Sequence, residues 1–184
     1  YNDMEWPIVR RVIHATADFD FAGKNKIIFH KNAITSGTSA LKNGCSIIVD
    51  VNGVIGGLNK QNPKDFENNI ICNISDPGLA ERAKQENKTR AQMSMRVAAS
   101  EINGGVVVIG NAPTALLEVI KMIREGVTKP ALVIGIPVGF VSAAESKEEL
   151  QTVDVPFITN TGRKGGSSCA ASIVNALFKL LREN

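Results

Sequence analysis

The sequence predicts an α/β protein, a three-layer sandwich in which helices cover both faces of a mostly parallel, five-stranded sheet. Five short apolar runs are rich in Val and Ile and nearly continuous, which is typical of strands that are buried on both faces. Helical patterns lie between these runs, and this alternation favours right-handed βαβ crossovers. The five predicted strands are 46–51, 70–74, 106–109, 131–136 and 155–158.

The N-terminal half contains short helical patterns around the first two predicted strands. Segments 7–13 and 35–41 predict short helices ahead of the first strand. Segment 59–69 is polar and carries Pro63, so we expect an exposed loop or an insertion there. Segment 79–99 predicts a longer helical stretch that is weakly patterned and broken.

The C-terminal half has clearer helix signals. Pro113 is suited to the first turn of a helix, and Gly126 is suited to its end. Ser142 with Glu145 predicts a capping box for a short helix. Segment 169–181 predicts the last helix. The apolar stripes of the first and last of these helices are Leu116, Leu117, Ile120 and Ile123, and Ile173, Val174, Leu177 and Leu181.

Length and composition indicate one globular domain over 1–184. A length of 184 residues suits a single domain with a sizeable core. A net charge of +3 is too small to indicate a nucleic-acid partner. The three cysteines form no C-x-x-C pair, which argues against a zinc site and favours a reducing cytoplasm. No apolar run is long enough to span a bilayer. Because the chain starts at Tyr1 without a methionine, we expect a further segment to precede it.

The segment TNTGRKGGSS, 159–168, predicts a glycine-rich turn between the last strand and the last helix. Glycines allow close approach of a ligand, and the unpaired N–H groups of a helix start favour anions. Arg163 and Lys164 add two cations, so the turn is suited to carboxylates or phosphates. A nucleotide P-loop is disfavoured because the lysine precedes the glycine pair. An ordinary solvated turn is the alternative.

All five predicted strands end in polar, Gly or Pro residues, which indicates a broad concave site at one edge of the sheet. The alternative is that such turns simply need these residues.

His14 is the natural general acid or base because histidine exchanges a proton near neutral pH. Its alternative is a helix-end histidine that the helix dipole favours. Arg10 and Arg11 precede His14, whereas His30 has no neighbouring arginines and is taken as structural or exposed. Asp18 and Asp20 favour a turn, with a metal site as the minor alternative.

Seven ordered motifs resemble the precorrin-8X methylmutase family, whose members are also called cobalt-precorrin-8 methylmutases. Any one motif is weak, but the ordered set covers nearly the whole chain and is specific. Segment 52–57 departs from the family pattern. The motifs are VRRVIHATADF at 9–19, SG at 36–37, IVDV at 48–51, GNAPTAL at 110–116, GIPVGFV at 135–141, AESK at 144–147 and GRKGGS at 162–167.

The resemblance implies a cobalamin-pathway isomerase that moves a methyl group from C-11 to C-12 of precorrin-8X or cobalt-precorrin-8, giving hydrogenobyrinate or cobyrinate. It implies a homodimer with active sites near the subunit interface, a corrinoid small-molecule substrate and no separate cofactor, since any cobalt belongs to the substrate. We expect neither a protein metal site nor a nucleic-acid or membrane partner. His14 takes the family's catalytic position. The residues expected to bind substrate are Arg11, Thr16, Ser36, Asp50, Arg90, Asn111, Pro113, Thr114, Val138, Gly139, Phe140, Arg163, Lys164 and Gly165.

Two other functions stay open at this point. A nucleotide-binding enzyme would use the glycine turns, but the chain lacks G-x-G-x-x-G after the first strand. A non-catalytic corrinoid or tetrapyrrole carrier would bind the product without converting the precursor, and only a turnover assay separates it from the enzyme.

Overall fold

The structure, a computed structural model, describes residues 1–183. Its strands are β1 Ile27–Phe29, β2 Ile47–Val49, β3 Ile70–Ile71, β4 Val106–Ile109, β5 Leu132–Gly135 and β6 Phe157–Asn160. They form one sheet in the order β1-β6-β5-β4-β2-β3. β1 pairs antiparallel with β6, and every other neighbouring pair is parallel. The mostly parallel sheet is therefore confirmed, although it has six strands and not five.

Helices fill the connections between the strands. A 3-10 turn over Phe19–Ala22 follows the first helix. The α-helices are α1 Trp6–Thr16, α2 Ala33–Lys42, α3 Asn52–Gly57, α4 Gln61–Asp65, α5 Leu79–Gln85, α6 Arg90–Val97, α7 Ala99–Ile102, α8 Pro113–Arg124, α9 Ala143–Leu150 and α10 Ser167–Glu183.

Alternate strand residues point to opposite faces of the sheet, and each face has its own apolar cluster. Val106 and Val108 belong to a cluster with residues of α1, α2, α3 and α10. Val107 and Ile109 belong to a second cluster with residues of α6, α7, α8 and α9. Because all four valines and isoleucines of β4 are fully buried, the run is apolar throughout and does not alternate. The predicted three-layer sandwich is confirmed.

Among the strands of the described residues, the edge strand β1 is the one that the sequence did not predict. It has three residues, and it pairs Ile27 with Asn160 and Phe29 with Ile158. Its antiparallel pairing lies outside the βα alternation from which the other strands were predicted. A run this short carries too little pattern to separate a strand from a loop.

Two further predictions from sequence were wrong. Ser142 precedes α9 in the left-handed conformation, with φ 60°, and its side chain makes no capping hydrogen bond. Segment 59–69 is not a plain exposed loop, because it contains α4 and the buried residues Asn62, Pro63 and Asn68. The Asn68 amide donates to the carbonyl oxygens of Leu41, at 3.1 Å, and Cys45, at 2.9 Å.

The break predicted within 79–99 is confirmed. Asn87 adopts the left-handed conformation, with φ 52°, after α5 ends. Thr89 then starts α6 through a capping box with Gln92. The helix ends predicted at Pro113 and Gly126 are also confirmed, and Gly126 has φ 70°.

A buried carboxylate joins α6 to α8. Glu118 is 1% exposed and forms ion pairs with Arg96 and, at 3.4 Å, with Lys88. The Gln92 amide donates to its second oxygen at 3.2 Å. Burial raises the pKa of Glu118, but Arg96 and Lys88 outweigh it, so the pKa lies below its usual value. The carboxylate is therefore charged and fully partnered.

Replacing this carboxylate tests its contribution to stability. Glu118→Gln should lower the free energy of unfolding by about 1–3 kcal/mol, because Arg96 and Lys88 lose a charged partner while partly buried. Urea denaturation followed by circular dichroism measures the loss. The matched control is Glu86→Gln, an exposed glutamate, which we expect to change stability by less than about 0.5 kcal/mol. Equal losses in the two variants would contradict the role of Glu118.

Candidate active site

The carboxyl ends of the parallel strands meet at one edge of the sheet, and the turns that follow them carry most of the predicted site residues. The turn after β4 begins at Gly110, the turn after β5 contains 136–142, and the turn after β6 contains 161–166. Open parallel sheets bind ligands outside this edge. We call this surface the carboxyl edge.

Asp50, which follows β2, organises the turn after β4. It is fully buried, and its carboxylate accepts the backbone N–H groups of Gly110, Asn111 and Ala112 at 3.0, 2.8 and 2.7 Å. Burial raises the pKa of Asp50 above its usual value, although these three donors oppose the rise. Its oxygens are therefore used inside the protein, which corrects our expectation that Asp50 touches substrate.

The same carboxylate occupies the backbone donors of the turn that leads into α8. The N–H groups of Gly110, Asn111 and Ala112 are already taken by the Asp50 carboxylate. The side chain of Asn111 remains exposed, and Pro113 and Thr114 are half-buried beside it. These three side chains are what the turn presents to a ligand in place of the three occupied N–H groups.

The turns after β5 and β6 are bound directly to each other. The Gly139 N–H donates to the Arg163 carbonyl at 3.2 Å, and the Gly166 N–H donates to the Ile136 carbonyl at 3.0 Å. A Cβ on Gly165 would lie 2.4 Å from the Ile136 carbonyl oxygen. Only glycine allows the two backbones to approach this closely.

Lys147, on α9, lies beneath the turn after β6 and was not predicted as a site residue. Its side chain is fully buried, and its ammonium donates to the carbonyl oxygens of Gly162, at 2.9 Å, and Lys164, at 2.6 Å. Burial lowers the pKa of Lys147 to about 8, although its interaction with Cys169 opposes the change. The only sequence signal was its place in the AESK motif.

The two cations of this turn differ in their partners. The Lys164 ammonium binds the carboxylates of Asp18 and Asp20, each at 2.7 Å. Lys164 lowers the pKa of Asp18. These aspartates, which we weighed as a minor metal site, therefore hold a lysine. The guanidinium of Arg163 is exposed and has no hydrogen bond or ion pair within residues 1–183. Arg163 is consequently available to an anionic ligand.

His14 lies on the outer face of α1, two residues before the helix ends. It is exposed and lines a cleft of about 290 Å³ between α1 and α10. Arg10 and Arg11 line the same cleft, as do Ala176 and Lys179 of α10, so the surroundings are largely cationic. The side chain of His14 makes no hydrogen bond to another residue of 1–183.

The cleft of His14 and the carboxyl edge are neighbouring surfaces in one chain. Asp18, four residues after His14, binds Lys164 of the turn that precedes α10. Ala176 is nine residues into α10, or about 13 Å along the helix axis. The Thr16–Asp18 segment bridges the two surfaces. In it the Thr16 hydroxyl donates to the Val12 carbonyl at 2.8 Å and accepts the Asp18 N–H at 3.3 Å.

Two predicted site residues lie away from the Arg163 turn. The Ser36 hydroxyl donates at 2.8 Å to the carbonyl of Ala131, which precedes β5 and therefore lies at the opposite edge of the sheet. Arg90 is at the far end of the carboxyl edge, where its guanidinium donates to the Ile74 carbonyl beyond β3. Ser36 is thus not part of this cluster within one chain.

Large apolar side chains are unusually exposed at the carboxyl edge. Val138, Phe140 and Val141, in the turn after β5, are 44%, 86% and 82% exposed, and Phe19, after α1, is 79% exposed. Apolar surface of this kind marks a place where a ligand or another protein binds. Val138 and Phe140 had been predicted to contact the substrate ring.

A larger depression of about 850 Å³ lies at the opposite edge of the sheet. It is lined by the ends of α7 and α8 and by the segments that lead into β5 and β6, including Arg124, Thr128 and Asp154. None of the predicted site residues lines it. Among residues 1–183, no group of three His, Cys, Asp or Glu side chains is placed to hold a metal ion, and no helix is long and apolar enough to cross a membrane.

Comparisons with known proteins agree on one family. A sequence model of the precorrin-8X methylmutase family matches residues 1–180. The chain is 51% identical over 177 residues to the cobalt-precorrin-8 methylmutase of Priestia megaterium, covering 96% of this chain and 78% of that protein. It is 49% identical over 184 residues to the cobalt-precorrin-8 methylmutase of Leptospira interrogans, covering 96% of this chain and 83% of that protein. The structure matches a crystal structure of precorrin-8X methylmutase from Thermus thermophilus with a TM-score of 0.92 and 38% identity, over 100% of this chain and 87% of that one.

The close contact at Gly165 gives a test of how the edge is built. Gly165→Ala should lower the free energy of unfolding by about 1–3 kcal/mol, because the new methyl group meets the Ile136 carbonyl oxygen and forces the two turns apart. Thermal unfolding measures this, at about 2–4 °C per kcal/mol. Gly56→Ala is the matched control, since a Cβ there meets nothing within 4 Å and the residue is helical. The control should be stabilised by about 0.5–1 kcal/mol. An unchanged melting temperature for Gly165→Ala would contradict the contact.

Proposed function

Because the chain belongs to the precorrin-8X methylmutase family, we propose that His14 supplies its acid catalysis and that Arg163 and Arg11 bind carboxylate arms of its substrate. The chain is a methylmutase, an isomerase of cobalamin biosynthesis, and this activity follows from a family match that covers residues 1–180. Its reaction is the C-11 to C-12 methyl shift on precorrin-8X or cobalt-precorrin-8. The single observation that carries the activity is therefore the family match.

The reaction is intramolecular. The bond between the methyl carbon and C-11 breaks as the bond to C-12 forms, so no methyl donor is consumed and there is no net oxidation or reduction. The protein has only to hold the ring in a reactive shape and to stabilise the electron density that shifts. A proton or hydrogen bond given to a ring nitrogen would draw electrons in the required direction.

The surroundings of His14 support its role as the donor. The imidazole is exposed, has no hydrogen-bond partner within residues 1–183 and lines a cleft with Arg10 and Arg11. His30, in contrast, accepts the Asn32 N–H at 3.2 Å and packs on Phe157. Of the two histidines, His14 is thus the one that is available to a ligand.

The carboxyl edge supplies what a corrinoid requires. The macrocycle is broad and largely apolar, and exposed Val138 and Phe140 offer an apolar surface for it. Its acetate and propionate arms need cations, and the unpaired guanidinium of Arg163 is suited to a two-pronged carboxylate contact. Lys164 is less available, because two aspartates already hold it. We therefore assign arm binding at this turn to Arg163 first.

We also propose that the protein is a homodimer in the cytoplasm. The family resemblance implies active sites near the subunit interface. The exposed apolar side chains Phe19, Phe140 and Val141 support this, because they leave surface for a partner subunit or ring to cover. Asp18 and Asp20, on either side of Phe19, bind Lys164, so Phe19 adjoins the turn that carries Arg163.

Replacing His14 tests the chemical step. His14→Ala should slow turnover at least about a hundredfold while corrinoid binding and folding change little, because general acid catalysis contributes ~10²–10⁴-fold. Precorrin-8 and its cobalt form are each incubated with the enzyme, and conversion is followed by visible absorption. His30→Ala is the matched control and should turn over near the wild-type rate. Normal turnover by His14→Ala would remove His14 from the mechanism, and binding without turnover by the wild type would indicate a carrier.

Replacing Arg163 tests arm binding. Arg163→Ala should weaken corrinoid binding by about 10–100-fold, because a charged hydrogen bond to a carboxylate is lost. Titration of the coloured product hydrogenobyrinate into wild type and variant measures the Kd. Lys129→Ala, which removes an exposed cation at the opposite edge of the sheet, is the control and should bind as tightly as the wild type. Equal affinities for Arg163→Ala and the control would exclude Arg163 from the site.

A further inference from the structure

Lys147 has an unusual position for a lysine. None of its side chain is exposed, and it is among the largest fully buried side chains of the described residues. A buried ammonium costs free energy unless its protons are bound. Here two backbone carbonyls, those of Gly162 and Lys164, accept them at 2.9 and 2.6 Å. The charge is therefore partnered by the backbone and not by a carboxylate.

The two carbonyls belong to the residues on either side of Arg163. The carbonyl of Arg163 itself accepts the Gly139 N–H at 3.2 Å, from the neighbouring turn. Asn160 adds to the arrangement, since its amide also donates to the Lys164 carbonyl at 2.9 Å. Three consecutive carbonyls of the turn are thus fixed, and Lys147 alone among side chains contacts both flanks of Arg163 in residues 1–183.

This tether acts on a segment that the sequence leaves flexible. Gly162 adopts a positive φ of 73°, and Gly165 and Gly166 follow within four residues. Such a turn has many accessible backbone conformations unless other groups hold it. The side chain of Arg163 is exposed and has no partner of its own, so its direction depends on the backbone from which it projects.

We propose that Lys147 is a positioning residue, whose ammonium fixes the Gly162–Arg163–Lys164 backbone so that the guanidinium of Arg163 is preorganised for a carboxylate arm of the corrinoid. The inference rests on the proposed function, because the direction of Arg163 matters only if that guanidinium binds substrate. Preorganisation of this kind improves affinity by removing the entropy that binding would otherwise cost.

The alternative is that Lys147 only stabilises the fold. The two roles predict different results when the charge is replaced by an apolar side chain of similar volume. Such a replacement leaves the Gly162 and Lys164 carbonyls without this donor and therefore costs stability under either role. If Lys147 positions Arg163, the folded variant binds substrate more weakly, and this loss depends on Arg163. If it serves the fold alone, the folded variant binds substrate as tightly as the wild type.

A double-mutant cycle tests the proposal directly. Lys147→Met, Arg163→Ala and the double variant are compared with the wild type by hydrogenobyrinate titration and by turnover of precorrin-8. Lys147→Met should raise both Kd and KM about tenfold with kcat little changed, as expected when uniform binding is lost. In the Arg163→Ala background the same substitution should have no further effect, because the group on which it acts is absent.

The controls separate the ways in which the proposal fails. Glu118→Gln, which weakens a buried ion pair remote from the turn, should lose stability and keep its affinity. Wild-type affinity for Lys147→Met, or additive losses in the double variant, would overturn the positioning role and leave the role of Arg163 intact. Wild-type affinity for Arg163→Ala would overturn the proposed role of Arg163 and this inference with it.

A second variant keeps the test decisive if Lys147→Met does not fold. Lys147→Gln retains two N–H donors for the Gly162 and Lys164 carbonyls but has no charge and a shorter reach. It should give a smaller loss of affinity than Lys147→Met, and the loss should again vanish in the Arg163→Ala background. A loss from Lys147→Gln that persists in that background would contradict the proposal.

Discussion

The carboxyl edge depends on one constraint, which is that buried backbone N–H and C=O groups must find hydrogen-bond partners. The turns at this edge have no strand or helix partner for many of these groups. Two buried side chains of opposite charge supply the missing partners. Asp50 accepts three N–H groups of the turn after β4, and Lys147 donates to two carbonyls of the turn after β6. The shape of the site therefore follows from an acceptor and a donor that never reach its surface.

The parts of the fold that the sequence predicted are those with local causes. The Val, Ile and Leu runs at β2, β4 and β5 are buried on both faces, so composition alone indicates them. Pro113 and Gly126 mark helix ends through their own backbone preferences. In contrast, β1 is defined by its pairing with the distant β6, and Ser142 adopts φ 60° and makes no capping hydrogen bond. Local sequence signals indicated neither feature.

The candidate site divides in the same way. The glycines and cations of 162–166 are readable as a ligand-binding turn, because their conformational freedom and charge are properties of the residues themselves. The partners of Asp50 and Lys147 could not be predicted from the sequence. Those of Asp50 lie 60 or more residues away, and those of Lys147 fifteen or more. The pairing of Lys164 with Asp18 spans 146 residues, and it reverses the expectation that both cations of the turn are available. Spacing in sequence carries no record of such contacts.

The ion pairs of Lys164 have a consequence for how the two halves of the site are related. An exposed pair of this kind adds little stability. It does, however, connect the end of α1, which carries His14, to the turn that carries Arg163. Lys147 fixes that same turn from below, through the carbonyl of Lys164. The segment that follows His14 is thus bound to the residue next to Arg163. Asp18 and Asp20 hold the side chain of that residue, Lys164, and the buried Lys147 ammonium holds its carbonyl. Under the roles proposed for His14 and Arg163, a fixed segment between them would set the position of the corrinoid ring relative to the proton donor, because that position then follows from where the carboxylate arms bind.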